Sequence, residues 1–201
     1  NEGYRETLRA LGRRHLISGI SLKPYPCGVV IHPVIDACIN ISHHRDFHCS
    51  AIRAIEIFVH PRTAVLAEKQ DPASVITSRF SLHHAAALAL THGAADFETF
   101  EGADIADARL VRLRQLITVH RSPELTATQS RVVVDLGDLG KIDEFVTQAT
   151  GGPEKPLSTE QLKQKFVQLC RMSMDAIAAE RLFERCLSFS ELSDVSALCS
   201  L

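Results

Sequence analysis

The chain has 201 residues, of which 45% are hydrophobic and 23% charged, and its formal net charge is -2. That balance fits one large globular domain or two small ones with ample core. With no basic block and no apolar run of bilayer length, neither a nucleic-acid surface nor a membrane-spanning helix is expected. The N-terminus, Asn1-Glu2-Gly3-Tyr4, carries neither an initiator Met nor a signal-peptide pattern, so it reads as the start of a fragment. The cysteines Cys27, Cys38, Cys49, Cys170, Cys186 and Cys199 are scattered without a CxxC pair. Reduced thiols in an intracellular protein, cytoplasmic or mitochondrial, are expected rather than a disulfide frame or a zinc ribbon.

In chain order, helical spacing of Tyr4, Leu8, Leu11 and His15 predicts a first helix, interrupted by Gly12. Pro24 and Pro26 then force an extended loop over residues 22–28. A helix is predicted over residues 32–42, with Pro33 in its first turn. The β-branched run 52–59 predicts a strand that Pro61 ends. Residues 80–92 predict a helix that is apolar nearly all round and therefore buried, with Ser81 near its N-cap and Gly93 as its stop. An amphipathic helix over 104–114 leads into a strand over 116–120. Residues 131–136 and 141–147 flank the Gly137–Gly140 turn as a β-hairpin. Gly151-Gly152-Pro153 marks a boundary, after which the Ser158/Gln161 capping box opens a helix to Cys170. Helices over 174–186 and 192–198 complete the chain.

Strands close together in sequence with helices grouped around them argue an α+β fold with a small, mostly antiparallel sheet. The helical tail has no partner bundle within the chain, which points to protein lying outside it.

Lys23 is the first candidate for chemistry. The flanking prolines lower the entropic cost of fixing its ammonium, and a preorganised cation is what a di- or tricarboxylate requires. His32 stands at the start of the next helix, where partial positive charge and free N–H groups favour an anion. His83 and His84 are adjacent on a helix and so point roughly 100° apart, which lets only one face a cleft easily. A neutral imidazole there suits proton transfer at a carbon next to a carboxylate. The run His43-His44-Arg45-Asp46-Phe47-His48-Cys49 offers no complete ligand set, so no metal is expected.

The stretch Lys23-Pro24-Tyr25-Pro26-Cys27 followed by His32-Pro33-Val34-Ile35-Asp36-Ala37 resembles the segment that opens the lid-like domain of MmgE/PrpD proteins, the family of 2-methylcitrate dehydratase and cis-aconitate decarboxylase. Four later blocks agree in order: the Phe80-Ser81-Leu82-His83-His84 helix with Gly93, the Ile117-Thr118-Val119 strand, the hairpin, and the Gly151-Gly152-Pro153 hinge with Lys165-Phe166.

The resemblance implies an enzyme whose site lies between this lid and a large all-helical domain. Residues 1–18 would then end the helical domain, 19–152 form the lid, and 153–201 return to the helical domain, whose N-terminal part is absent. It implies Lys23 and His84 as catalytic groups; Lys23, His32 and His83 are the expected substrate-binding residues. Gly28 stands where decarboxylase-like members carry a His, which weighs against cis-aconitate decarboxylation. A small polycarboxylate substrate, a lyase or isomerase reaction without cofactor, and a homodimer are expected, with this chain inactive alone. The alternative is a catalytically incomplete fragment or paralogue serving as an interaction or dimerisation module.

Overall fold

Alternation along one strand decides which way the sheet of this protein faces. In β1 (Ala54–Val59), Ile55, Ile57 and Val59 are buried while Glu56 is exposed, the period of two that a sheet covered on one side requires. The computed structural model describes residues 2–13, 15–102 and 104–199. Asn1, Arg14, Ser200 and Leu201, which fall within the segments assigned from the sequence to a helical domain, lie outside the described residues. Three more strands, β2 (Ile117–Arg121), β3 (Ser130–Asp135) and β4 (Lys141–Val146), complete a sheet in the order β2-β1-β3-β4.

The β3–β4 hairpin closes through the expected turn, where Gly137 and Gly140 take positive φ. β1 runs antiparallel to β3, with Ile57 opposite Val132, but parallel to β2, with Ile57 opposite Val119. The sheet is therefore mixed, which corrects the expectation of a mostly antiparallel one. Between β1 and β2 the chain passes through a series of helices, and a crossover of that kind returns a strand in the same direction.

The helices are α1 (Glu2–Arg9), α2 (His32–Ser42), α3 (Pro61–Ala67), α4 (Val75–Ser78), α5 (Leu82–His92), α6 (Phe97–Gly102), α7 (Ala108–Gln115), α8 (Thr159–Cys170) and α9 (Ala176–Leu187). α2 lies along β3 and β4, and α5 packs between α2 and α7. Every residue of α5 from Leu82 to Leu90 is buried, as its all-round apolar pattern requires. Ser81 caps its N-terminus by accepting the His84 N–H at 3.0 Å, and Gly93 ends it at φ 65°. Ile31, Ile35, Ile55, Ile57, Leu88, Phe100 and Leu110 form the centre of one core.

Local chemistry explains where the elements depart from expectation. Pro61 ends β1 and also opens α3, because proline suits a first helical turn and the His60 ring accepts the Arg62 N–H. α7 starts at Ala108 because Asp107 caps it, accepting the Arg109 N–H at 2.7 Å. α1 stops at Arg9, ahead of the left-handed Gly12. The last segment is a 3-10 helix over Val195–Cys199.

The Ser158/Gln161 capping box opens α8 as predicted. α8 and α9 join through Phe166 and Phe183, with ring centroids 5.5 Å apart, and through Lys163 with Glu180 and Glu184. α8 also reaches the α+β unit, where Lys165 Nζ donates to the Lys23 carbonyl at 2.6 Å. No helix among the described residues is long and apolar enough to cross a membrane.

Candidate active site

Two prolines hold the Lys23 loop open, and one carbonyl oxygen organises it. The Cys27 carbonyl accepts the Lys23 ammonium at 3.0 Å, and the His32 ring lies close enough to feel the charge of that ammonium. His32 Nε2 is buried without a hydrogen-bond partner among the described residues. Lys23 and His32, separated by nine positions, are thus brought close together. Both line a cavity of about 260 Å³, together with Thr128, Gln148, Thr150 and Lys155.

The His32 imidazole is buried, and its pKa is pulled down to about 4. Burial is the main cause and the Lys23 charge the next, with Asp36 opposing. At neutral pH it is thus an uncharged base beside an ammonium. The neighbouring Cys27 thiol is pushed up to about 12 by burial, so it stays protonated and is no nucleophile.

Asp36 ties the walls of this cavity together. It is 4% exposed and accepts the Tyr25 hydroxyl at 2.5 Å on Oδ1 and the Thr150 N–H at 2.7 Å on Oδ2. The Tyr25 ring meets His32 edge to face at 5.3 Å. Burial, with the Asp36 charge second, pushes the Tyr25 phenol well above its ordinary value, so it remains a donor. From the sequence, Tyr25 and Asp36 stood out only as letters in a motif. Their roles depend on a contact with Thr150 that no local pattern announces.

The structure places His83 and His84 elsewhere, and neither lines the Lys23 cavity. His84 is fully enclosed on α5, its Nδ1 3.3 Å from Arg114 and its ring 6.2 Å from Phe100. Its pKa is also lowered to about 4, by burial first and Arg114 second. Arg114, 3% exposed, donates to the Ile105 carbonyl at 3.0 Å and lies 3.6 Å from Asp71. A buried guanidinium is tolerable only with such partners. His83 is buried beside the same group, and burial holds its pKa below the usual value.

Past the end of α2, no helix carries His43, His44 and His48, and His44 Nδ1 accepts the Asp46 N–H at 3.3 Å. Among the described residues, no three His, Cys, Asp or Glu side chains gather as a metal site would need. Gly28 keeps room for a Cβ, which would meet Ile31 at an ordinary 3.7 Å.

None of the curated proteins compared matches the chain. The MmgE/PrpD C-terminal domain family matches residues 25–188, a span running from the Tyr25 that packs on His32 to just beyond α9. A match of that extent settles descent: the chain belongs to the MmgE/PrpD family.

Proposed function

We propose that the protein is the C-terminal part of an MmgE/PrpD-type enzyme that acts on a small di- or tricarboxylate by cofactor-independent proton transfer. Dehydration, decarboxylation and epimerisation all share that step, which makes the enzyme a lyase or an isomerase. The observation that carries the proposal is the Lys23 ammonium, fixed by the Cys27 carbonyl, on the same cavity wall as the neutral His32 imidazole.

Lys23 uses one N–H on that carbonyl and keeps two for a substrate carboxylate, where it stabilises enolate-like charge developing on the adjacent carbon. The His32 imidazole takes or returns the proton, and the negative charge of a bound substrate raises its basicity toward the working range. His84 was the imidazole expected to move the proton. It does not line the cavity, so that role is assigned to His32. The enclosed His84 positions Arg114 instead. Gly28 contributes no side chain to the loop, and His32 is the imidazole among the described residues lining the cavity. The remaining groups of the site come from a helical domain. The exposed Tyr4, Leu8 and Leu11 on the α1 side, and Ile177 and Leu187 on α9, support such a covering.

The test is turnover of 2-methylcitrate, cis-aconitate and iminodisuccinate by the full-length protein, alongside Lys23→Ala and His32→Gln. Turnover of one of them should fall by about a hundredfold or more in His32→Gln, the usual scale for a positioned acid–base group. Undiminished turnover in both variants removes the cleft from the mechanism.

A further inference from the structure

The cleft contains a second ammonium that the mechanism above does not use. Lys155 lines the same cavity as Lys23 and His32, but from the hinge segment and not from the proline loop. The two segments are stitched together. The Leu22 N–H donates to the Gly151 carbonyl at 2.8 Å, and Gly151 has φ +97°. A Cβ at Gly151 would collide with the Leu22 carbonyl oxygen and lie 3.0 Å from the Pro24 ring, so only glycine allows so close an approach. One turn further on, the Gly151 N–H donates to the Lys155 carbonyl at 2.8 Å, and the Lys155 N–H donates to the Gly152 carbonyl at 3.1 Å. The backbones of Lys23 and Lys155 are therefore fixed relative to each other.

The side chain is held as well. Lys155 Nζ lies 3.5 Å from Asp36 Oδ2. That carboxylate already has a short bond on each oxygen, from Tyr25 and from Thr150, so it does not depend on Lys155. The ammonium, by contrast, depends on Asp36 for its place and retains N–H donors for a ligand. Glu154, the other charged side chain on the cavity wall, is solvent-exposed as Lys155 is, and what distinguishes Lys155 is its ion pair with the buried Asp36.

We propose that Lys155 is a second carboxylate-binding cation, positioned by Asp36, which makes this cleft select ligands bearing at least two carboxylates. One carboxylate sits on Lys23 beside His32, and another sits on Lys155. The inference rests on the reading of the cleft as a polycarboxylate site and names the residue that sets its specificity.

The experiment is calorimetric titration of the full-length protein with two unreactive probes, tricarballylate and butyrate. Lys155→Met, Lys155→Arg and Lys23→Met are compared with the parent. Lys155→Met should weaken tricarballylate roughly tenfold, the scale of one charge-assisted hydrogen bond, and leave butyrate unchanged. Lys155→Arg, which keeps the charge, should retain most of the affinity. Parental affinity for tricarballylate in Lys155→Met, with a loss in Lys23→Met, overturns the second cation and leaves the cleft reading standing. An equal loss for both probes in Lys155→Met also overturns it, because the residue would then be structural. If the parent fails to bind tricarballylate, or neither lysine affects it, the polycarboxylate reading falls and takes the inference with it.

Discussion

Lowering the pH from about 7 to about 5 takes the protein through a window in which His32 and His84 are charged when unfolded and neutral when folded. Each has its pKa pulled from 6.5 to about 4. Above the upper value both states are neutral, and the imidazoles cost nothing. Between the two values the unfolded chain binds protons that the folded chain refuses, so stability falls as pH falls, and it levels off below the lower value. At about pH 5 the loss is about 2 kcal/mol for each histidine, or about 4 kcal/mol together. That is a large share of the roughly 5–15 kcal/mol that holds a typical domain folded. His83, also held low by burial, adds in the same direction. Asp107 and Asp143, whose carboxyls are kept acidic by hydrogen bonds from Arg109 and Arg131, titrate below this window. Urea midpoints measured at several pH values for the parent, His32→Gln and His84→Gln give the test. Each substitution should remove about half of the acid sensitivity of the pair. Variants that keep the parental pH slope refute the buried, neutral assignment.

Three further predictions concern packing and the ties around the cleft. Gly151→Ala forces a positive φ on alanine and drives its Cβ into the Leu22 carbonyl, so thermal denaturation should show a loss of at least about 2 kcal/mol. An alanine variant as stable as the parent would break the stitched-segment argument. Tyr25→Phe removes the short hydroxyl bond to buried Asp36 and should cost about 1–3 kcal/mol in urea denaturation. A neutral result there would mean that Asp36 finds its donors elsewhere. Phe100→Ala empties a site only 1% exposed, and a loss of about 3–5 kcal/mol is expected, again by urea denaturation. Less than about 1 kcal/mol would mean that the core around His84 collapses onto the gap.

Where the signals are local, the sequence tells nearly the whole story. Pro33 at the start of α2, Ser81 and Gly93 around α5, and the Ser158/Gln161 box of α8 each involve groups within one helical turn, and each stands as read. The β3–β4 hairpin is legible for the same reason. The parallel pairing of β1 with β2 is not, because nothing in either strand encodes its direction across so long a crossover. α3 was hidden by Pro61, which signals a strand end and a helix start with the same letter. At the cleft, Lys23 and His32 were visible through the proline loop and the helix start. The Cys27 carbonyl that fixes the Lys23 ammonium was not, since a backbone oxygen carries no sequence signature. Nor was Lys155, whose placement depends on Asp36 and Leu22, residues far away along the chain. The His83–His84 pair is ambiguous in a different way. An imidazole on an apolar helix reads equally well as a cleft group or as an enclosed one, and the contact that surrounds His84 here, with Arg114, comes from a helix thirty residues on.

The Leu22–Gly151 bond also has a topological meaning. It joins the first and last residues of nearly the entire α+β unit, so all four strands and the helices among them belong to one loop pinned shut at its neck. A unit whose two ends emerge side by side can be carried as a cassette by whatever flanks it, and its chain can be reopened at a surface turn without disturbing the core. Opening the chain at the Gly137–Gly140 turn would therefore leave the Leu22–Gly151 neck, and the Lys23 loop beside it, in place.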